Sequence, residues 1–184
     1  PPPPSPPPHV AWVGATGVKI VASDPHAANS FGNAVASSGD YMIVGANGAA
    51  YIYKRSVDNV WSTGEKIMPN VPDPTFLRNL SVSISGDYAI VGAQNDGEQW
   101  TGVSYIYKRT GDNTWSTGVK IIASDPEVGD EFGRSVSISG DYAIVGARYE
   151  DTGGQNAGAA YIYKRTGDNT WSTGEKIMAS DPGN

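Results

Sequence analysis

The chain of 184 residues carries 19 carboxylates, 13 Lys and Arg side chains and two histidines with which to do chemistry. Their spacing decides what they can do. Asp40, Asp87 and Asp141 recur in one setting, each between a glycine and a tyrosine. Aspartate tolerates turn geometry and hydrogen-bonds its own backbone, so a carboxylate repeated in identical turns is expected to shape hairpins. The Lys-Arg pairs at 54–55, 108–109 and 164–165 are expected to end a strand, shield its edge and lie over Trp rings. His9 and His26 sit in the leading part of the sequence with no Ser/Asp constellation beside them. No glycine-rich phosphate loop stands between a strand and a helix. Acid–base, nucleophilic and nucleotide chemistry all lack a constellation, and the expectation is a protein that is not an enzyme.

Oxygen ligands are better represented. The stretch Gln94–Gly102 carries Asp96 and Glu98, and Arg148–Gly158 carries Glu150 and Asp151. Asp125, Glu127, Asp130 and Glu131 share one linker. Calcium takes about 6–8 oxygens, so these are candidate ligands. Their spacing matches no known loop signature, and solvated surface is the simpler reading. No metal site is assigned, and calcium is the one cofactor left open. Absence of cysteine excludes disulfides and thiolate metal sites. A net charge of −6 without a basic tract argues against nucleic acid as a partner. No apolar run approaches the roughly 18 residues of a membrane helix. The sequence shows no signal peptide and opens on proline, which reads as a processed product or a stretch of something longer.

The elements that must position these residues are set by internal repetition. Gly-Asp-Tyr-(Ala/Met)-Ile-Val-Gly-Ala occurs at 39–46, 86–93 and 140–147, and Tyr-Ile-Tyr-Lys-Arg at 51–55, 105–109 and 161–165. Trp-Ser-Thr-Gly follows at 61–64, 115–118 and 171–174, with Asp-Pro at 73–74, 125–126 and 181–182. Each unit reads as four strands. In the third, Ser135–Ser139 alternates strictly, which predicts a half-buried strand. Gly140-Asp141 predicts a type II′ hairpin. Tyr142–Ala147 is a nearly continuous apolar run, as in a strand covered on both faces. A third strand is predicted over Ala160–Thr166 and a fourth over about Trp171–Ala179. Nothing has helical period.

One further segment precedes the units. Trp12 to Ile20 matches the fourth-strand pattern of Trp115 to Ile121, and Asp24-Pro25 matches the linker after it. The predicted organisation is therefore a Pro-rich polyproline II segment over 1–10, an orphan fourth strand and linker over 11–30, and blades over 31–75, 76–130 and 131–184. Proline lacks an N–H, so residues 1–8 cannot join a sheet interior.

Phe31-Gly32 and Phe132-Gly133, each followed after the hairpin by Gly45-Ala46 and Gly146-Ala147, resemble FG-GAP repeats of the integrin α-subunit type. The resemblance runs over about residues 12–182. It implies an all-β, β-propeller-like fold of three four-stranded blades plus the orphan strand, an extracellular setting and an adhesive or recognition role. The second unit has Phe76-Leu77 where the others have Phe-Gly. The family's acidic calcium loop is reduced here to Ser-Gly-Asp-Tyr, so its calcium site is not carried over. Residues 1–8 resemble the Ser-Pro-Pro-Pro motifs of extensin-like cell-wall glycoproteins. That similarity implies glycosylation at Pro2, Pro3, Pro4, Ser5, Pro6, Pro7 and Pro8. Asn79-Leu80-Ser81 is a sequon.

Closed propellers typically need about 4–8 blades, so three units leave two open flanks. Three completions are open: a six-bladed ring of two chains, a longer propeller of which this is a piece, or a head-to-tail stack, which the orphan strand favours. The orphan strand exposes backbone groups that must find an edge. The expectation is an extracellular structural glycoprotein that self-assembles head-to-tail by strand donation into an open filament of identical chains, with Trp12, Val18 and Ile20 at the assembly interface. The alternative is a carbohydrate- or protein-binding adhesion module. Its contact loops would lie on the side where loop length varies between units and would include Trp100 and Tyr149.

Overall fold

A computed structural model of the chain describes residues 17–24, 30–70, 77–95 and 100–181. The Pro-rich segment, Trp12, His9, His26, Asp96 and Glu98 lie outside the described residues.

Each Gly-Asp turn closes a hairpin in which the glycine alone has positive φ, at 57°, 55° and 54° for Gly39, Gly86 and Gly140. This is the type II′ arrangement, whose twist matches that of the flanking strands. The three hairpins are β1 (Ala34–Ser38) with β2 (Tyr41–Gly45), β5 (Ser81–Ser85) with β6 (Tyr88–Ala93), and β9 (Phe132–Ser139) with β10 (Tyr142–Ala147). The Tyr-Ile-Tyr-Lys runs form the third strands, β3 (Ala50–Lys54), β7 (Val103–Lys108) and β11 (Ala159–Gly167). Short fourth strands follow: β4 (Glu65–Ile67), β8 (Val119–Ile121) and β13 (Glu175–Ile177). Among the described residues there is no helix. The fold is three antiparallel sheets in chain order, each an up-and-down blade, without closure into a ring.

The fourth strand in the third sheet is shorter than Trp171–Ala179. It is split into β12 (Thr170–Trp171), which pairs with the end of β11, and β13. The break is steric. A side chain at Gly174 would meet the Tyr163 hydroxyl oxygen at 2.7 Å, so the backbone passes beneath that ring without pairing. In the other two sheets the tryptophan makes a single bridge, Arg55 to Trp61 and Arg109 to Trp115.

The sheets pack face to face along two seams. In the first, Tyr41, Ile43, Ile52 and Ile67 meet Leu77, Leu80, Val91 and Tyr105. In the second, Tyr88, Ile90, Ile106 and Ile121 meet Phe132, Val145, Tyr161 and Tyr163. The middle sheet is therefore buried on both faces, which explains its unbroken apolar strands. Phe132 lies edge-on to Tyr161 and Tyr163 at centroid distances of 5.5 and 6.3 Å. Gly133 follows at φ 87°, and its carbonyl takes a hydrogen bond from the Ser81 hydroxyl at 2.8 Å. A side chain on Gly133 would sit 2.6 Å from the Val103 carbonyl oxygen. The Phe-Gly pair thus fills the foot of its own sheet while the glycine lets the backbone of the preceding sheet approach.

The second unit departs from that pattern at a different place than Phe76-Leu77. Strand register aligns Ala34, Ser81 and Ser135 opposite Gly45, Gly92 and Gly146. Counting back, Arg78-Asn79 stands where the other units have Phe-Gly. Asn79 holds the positive φ, at 53°, and the buried Leu77 and Leu80 fill the space under the sheet.

Candidate functional site

Residues 17–24 lie along the first sheet. The Tyr53 hydroxyl donates to the Val21 carbonyl at 2.8 Å, the Tyr51 hydroxyl to Asp24 at 2.5 Å, and Lys66 Nζ to Asp24 at 2.6 Å. The same arrangement recurs after the second sheet. There Tyr163 donates to the Ile122 carbonyl at 2.5 Å, Tyr161 to Asp125 at 2.8 Å, and Lys176 to Asp125 at 2.8 Å. Val18 to Asp24 and Val119 to Asp125 are thus equivalent, but their strand halves differ. Val119–Ile121 pair with β7, whereas Val18–Ile20 form no strand among the described residues, and Val18 is 73 % exposed. The third strand they would join belongs to a sheet that would precede β1, and no described residues supply it.

These tyrosine–aspartate clamps are not reactive groups. Burial first, and then the neighbouring aspartate, push Tyr51 and Tyr161 well above the ordinary phenol value, and Tyr53 up to about 12. All three stay protonated and donate. The hydrogen bond from Lys66, reinforced by Tyr51, holds Asp24 below the ordinary aspartate value. Lys176 does the same for Asp125, against the cost of burial.

The candidate metal ligands are divided among other partners. Burial works to raise Glu150, but Lys176 and the Thr152 hydroxyl outweigh it and hold it ionised below the usual value. Glu131 is bridged by Arg148 at 2.7 and 3.3 Å. Asp130 is raised by burial and caps the Glu127 amide at 3.0 Å. Asp151 caps the Asn156 amide at 2.5 Å. Among the described residues no three His, Cys, Asp or Glu side chains form a group able to hold a metal ion.

The loops of varying length share one side. The Trp100 carbonyl accepts the Glu131 amide at 3.1 Å, and the Asp130 carbonyl accepts the Tyr149 amide at 3.3 Å. Residues 100–102, linker 126–131 and the start of loop 148–158 therefore converge. Trp100 and Tyr149 are half-exposed there, with the Arg148 guanidinium 4.2 Å from the Tyr149 ring centre. Asn79 is exposed in the loop before β5.

The least expected geometry lies on the sheet flanks. Tyr41, Tyr88 and Tyr142 occupy the same place in three successive sheets, yet they are 9 %, 6 % and 51 % exposed. Ile43, Ile90 and Ile144 run 0 %, 0 % and 38 %. The third sheet keeps its core residues on a face that no other described residues cover. An open cleft of about 610 Å³ crosses that flank, with Ser135, Gly146 and Gly158 in its lining.

Two of the three Lys-Arg pairs land elsewhere than over tryptophan. Arg109 lies over the Tyr41 ring at 5.0 Å and Arg165 over Tyr88 at 4.8 Å, each a tyrosine of the preceding sheet. Arg55 has no preceding sheet among the described residues and rests on its own Trp61 at 5.9 Å. The turn aspartates, read as shapers of hairpins, are also the partners of these arginines: Asp40 with Arg55, Asp87 with Arg109 and Asp141 with Arg165.

Residues 16–56 and 115–163 match the FG-GAP repeat family. The second matched stretch runs from the fourth strand of the second sheet to the third strand of the third sheet, so it straddles a seam. FG-GAP repeats form β-propeller blades and are typical of extracellular adhesion and binding modules. A search of curated proteins finds no match. No described helix is long and apolar enough to cross a membrane.

Proposed function

We propose that this chain is an extracellular structural glycoprotein that self-assembles head-to-tail into a fibre or matrix, each copy donating residues 18–20 as a fourth strand to the next. The observation that carries this reading is the divided motif at 17–24. Its linker half is clamped on the first sheet as in the inner seam, while its strand half lacks a partner among the described residues. The receiving strand in a neighbour is β11 at Ala160–Ile162, the equivalent of the segment that Val119–Ile121 joins. That segment is held by the three-residue β13, so donation exchanges one short strand for another of equal length. A heterologous contact of this kind propagates unless its rotation closes a ring. Carbohydrate on Pro2–Pro8 and on Asn79 would coat such a fibre, and no catalytic step is assigned.

Negative-stain imaging of the purified chain tests the reading. Filaments are expected, and a strictly discrete particle at all concentrations refutes it. Proline at both 18 and 19 removes two backbone donors and should abolish filaments while leaving the thermal midpoint of the sheets unchanged. Filaments of normal length from that variant rule out strand donation.

The half-exposed Trp100 and Tyr149 on converging loops favour a second reading, an adhesion module for carbohydrate or protein. Glycan binding lost on Trp100→Ala, in particles that never polymerise, would select it. Loss on chelation would mark a calcium-dependent form.

A further inference from the structure

The two inner seams use one set of contacts, and the two outer flanks carry the halves of a third set. At the first seam Lys54 pairs with Asp112, and at the second Lys108 pairs with Asp168. The tyrosine contributed by the preceding sheet meets a tryptophan edge-on, Tyr41 with Trp115 at 6.2 Å and Tyr88 with Trp171 at 5.8 Å. Its hydroxyl accepts from the arginine, at 3.2 Å from Arg109 and 2.9 Å from Arg165. An asparagine at positive φ reaches back across the seam, Asn113 to the Ser62 hydroxyl at 3.4 Å and Asn169 to that of Ser116 at 3.5 Å.

The outer flank of the third sheet presents the receiving half: Tyr142, Lys164 and Ser172. The first sheet presents the inserting half: Arg55, Asp58, Asn59 and Trp61. Asn59 already has φ 61°, against 56° for both Asn113 and Asn169, so the inserting turn is preformed. Among the described residues neither Lys164 nor Asp58 has an ion-pair partner. At the foot of the inner seams Gly48 donates its amide to the Leu77 carbonyl at 2.7 Å, and Gly102 bridges to Phe132. Their counterpart Gly158 lines the open cleft instead. On the first sheet, Phe31-Gly32 stands where Phe132-Gly133 stands in the inner seam.

We infer that the outer flank of the third sheet docks the first sheet of a second copy of this chain, with Tyr142 and Lys164 receiving Trp61, Arg55 and Asp58, and the cleft at Gly158 receiving Phe31-Gly32. The inference rests on the head-to-tail reading above and names its contact face. It does not depend on which strand lies beside Ala160–Ile162. Charge complementarity fixes the direction, since Lys164 meets Asp58 only when the first sheet of one copy follows the third sheet of another, as Asp112 follows Lys54 and Asp168 follows Lys108.

The critical concentration for assembly of the full chain, read by light scattering with imaging, tests this. Lys164→Glu and Asp58→Lys should each raise it about 5–10-fold, and the chain carrying both should return to within about twofold of the unaltered value. Tyr142→Ala should raise it about tenfold or more, with the circular dichroism of the sheets unchanged. If the unaltered chain assembles and the single charge reversals leave its critical concentration unmoved, this face is wrong and head-to-tail assembly stands. If the unaltered chain does not assemble at any concentration, both fall.

Discussion

Replacing the seam tyrosine in each sheet by alanine compares one residue in one motif at three levels of cover. Tyr88→Ala removes a buried ring that meets Trp171 edge-on, lies 4.8 Å from the Arg165 guanidinium and accepts its hydrogen bond. Truncating a buried large aromatic typically costs about 3–5 kcal/mol. The aromatic pair adds about 0.5–1.5 kcal/mol beyond its area, partly counted already in the truncation, so about 4 kcal/mol is a working value. Tyr41→Ala should lose nearly as much, because Trp115 and Arg109 repeat the contact. Tyr142 has half its surface in water and no sheet beyond it among the described residues, and its loss should cost about 1 kcal/mol, in the range of ordinary surface changes. With a urea slope of about 2 kcal/mol/M, the first two variants should move the midpoint by about 2 M and the third by about 0.5 M. Equilibrium denaturation of dilute, unassembled protein reads these shifts. A Tyr142→Ala midpoint as low as that of Tyr88→Ala would mean the third flank is covered within the monomer, and would refute its assignment as an open face.

Gly102→Ala should destabilise by more than about 3 kcal/mol, since its Cβ would collide with the Phe132 carbonyl oxygen and φ is 83°. Gly158→Ala, at φ 77° with no other sheet against it among the described residues, would bring its Cβ to 3.1 Å from the Arg148 carbonyl oxygen and should cost about 1–2 kcal/mol of backbone strain plus a small local shift, so thermal melts of the pair should still separate. Asp24 and Asp125 have folded-state values below the ordinary 3.8, so their clamps contribute fully above that pH and are lost as pH falls through the lower folded values. Asp130, raised by burial, has the opposite sign, and its site weakens as pH rises through its folded value. Hydrogen exchange should therefore show the 21–24 and 122–125 amides losing protection below about pH 4, and Asp125→Asn should flatten that response. Secretory expression should add one glycan at Asn79, seen as a mass difference that Asn79→Gln removes.

Strand positions and hairpin type were legible because Gly-Asp turns and apolar alternation are local. Exposure was not. Tyr88–Ala93 and Tyr142–Ala147 are the same hexapeptide, buried throughout in one sheet and alternately exposed in the other. Only the number and order of sheets distinguishes them, and that is a property of the whole chain. The partners of Lys54 and Lys108 were hidden for the same reason: Asp112 and Asp168 lie 58 and 60 residues away. A periodic signal was present, since Arg, Asp, Asn and Trp recur at 55, 58, 59 and 61 and again one unit later. Reading it as a seam required knowing that each unit leans on the one before. Phe76-Leu77 draws the eye away from the true glycine place in the second unit, because Asn79 supplies left-handed backbone without a glycine to mark it.

A junction assembled from the same pieces as the interior has a mechanical corollary. Salt, acid or denaturant strong enough to separate neighbouring subunits would act equally on Lys54 with Asp112 and Lys108 with Asp168. Such a junction would differ from the interior only in lacking a covalent linker, so denaturant should act on both kinds of seam alike while dilution alone releases whole folded subunits.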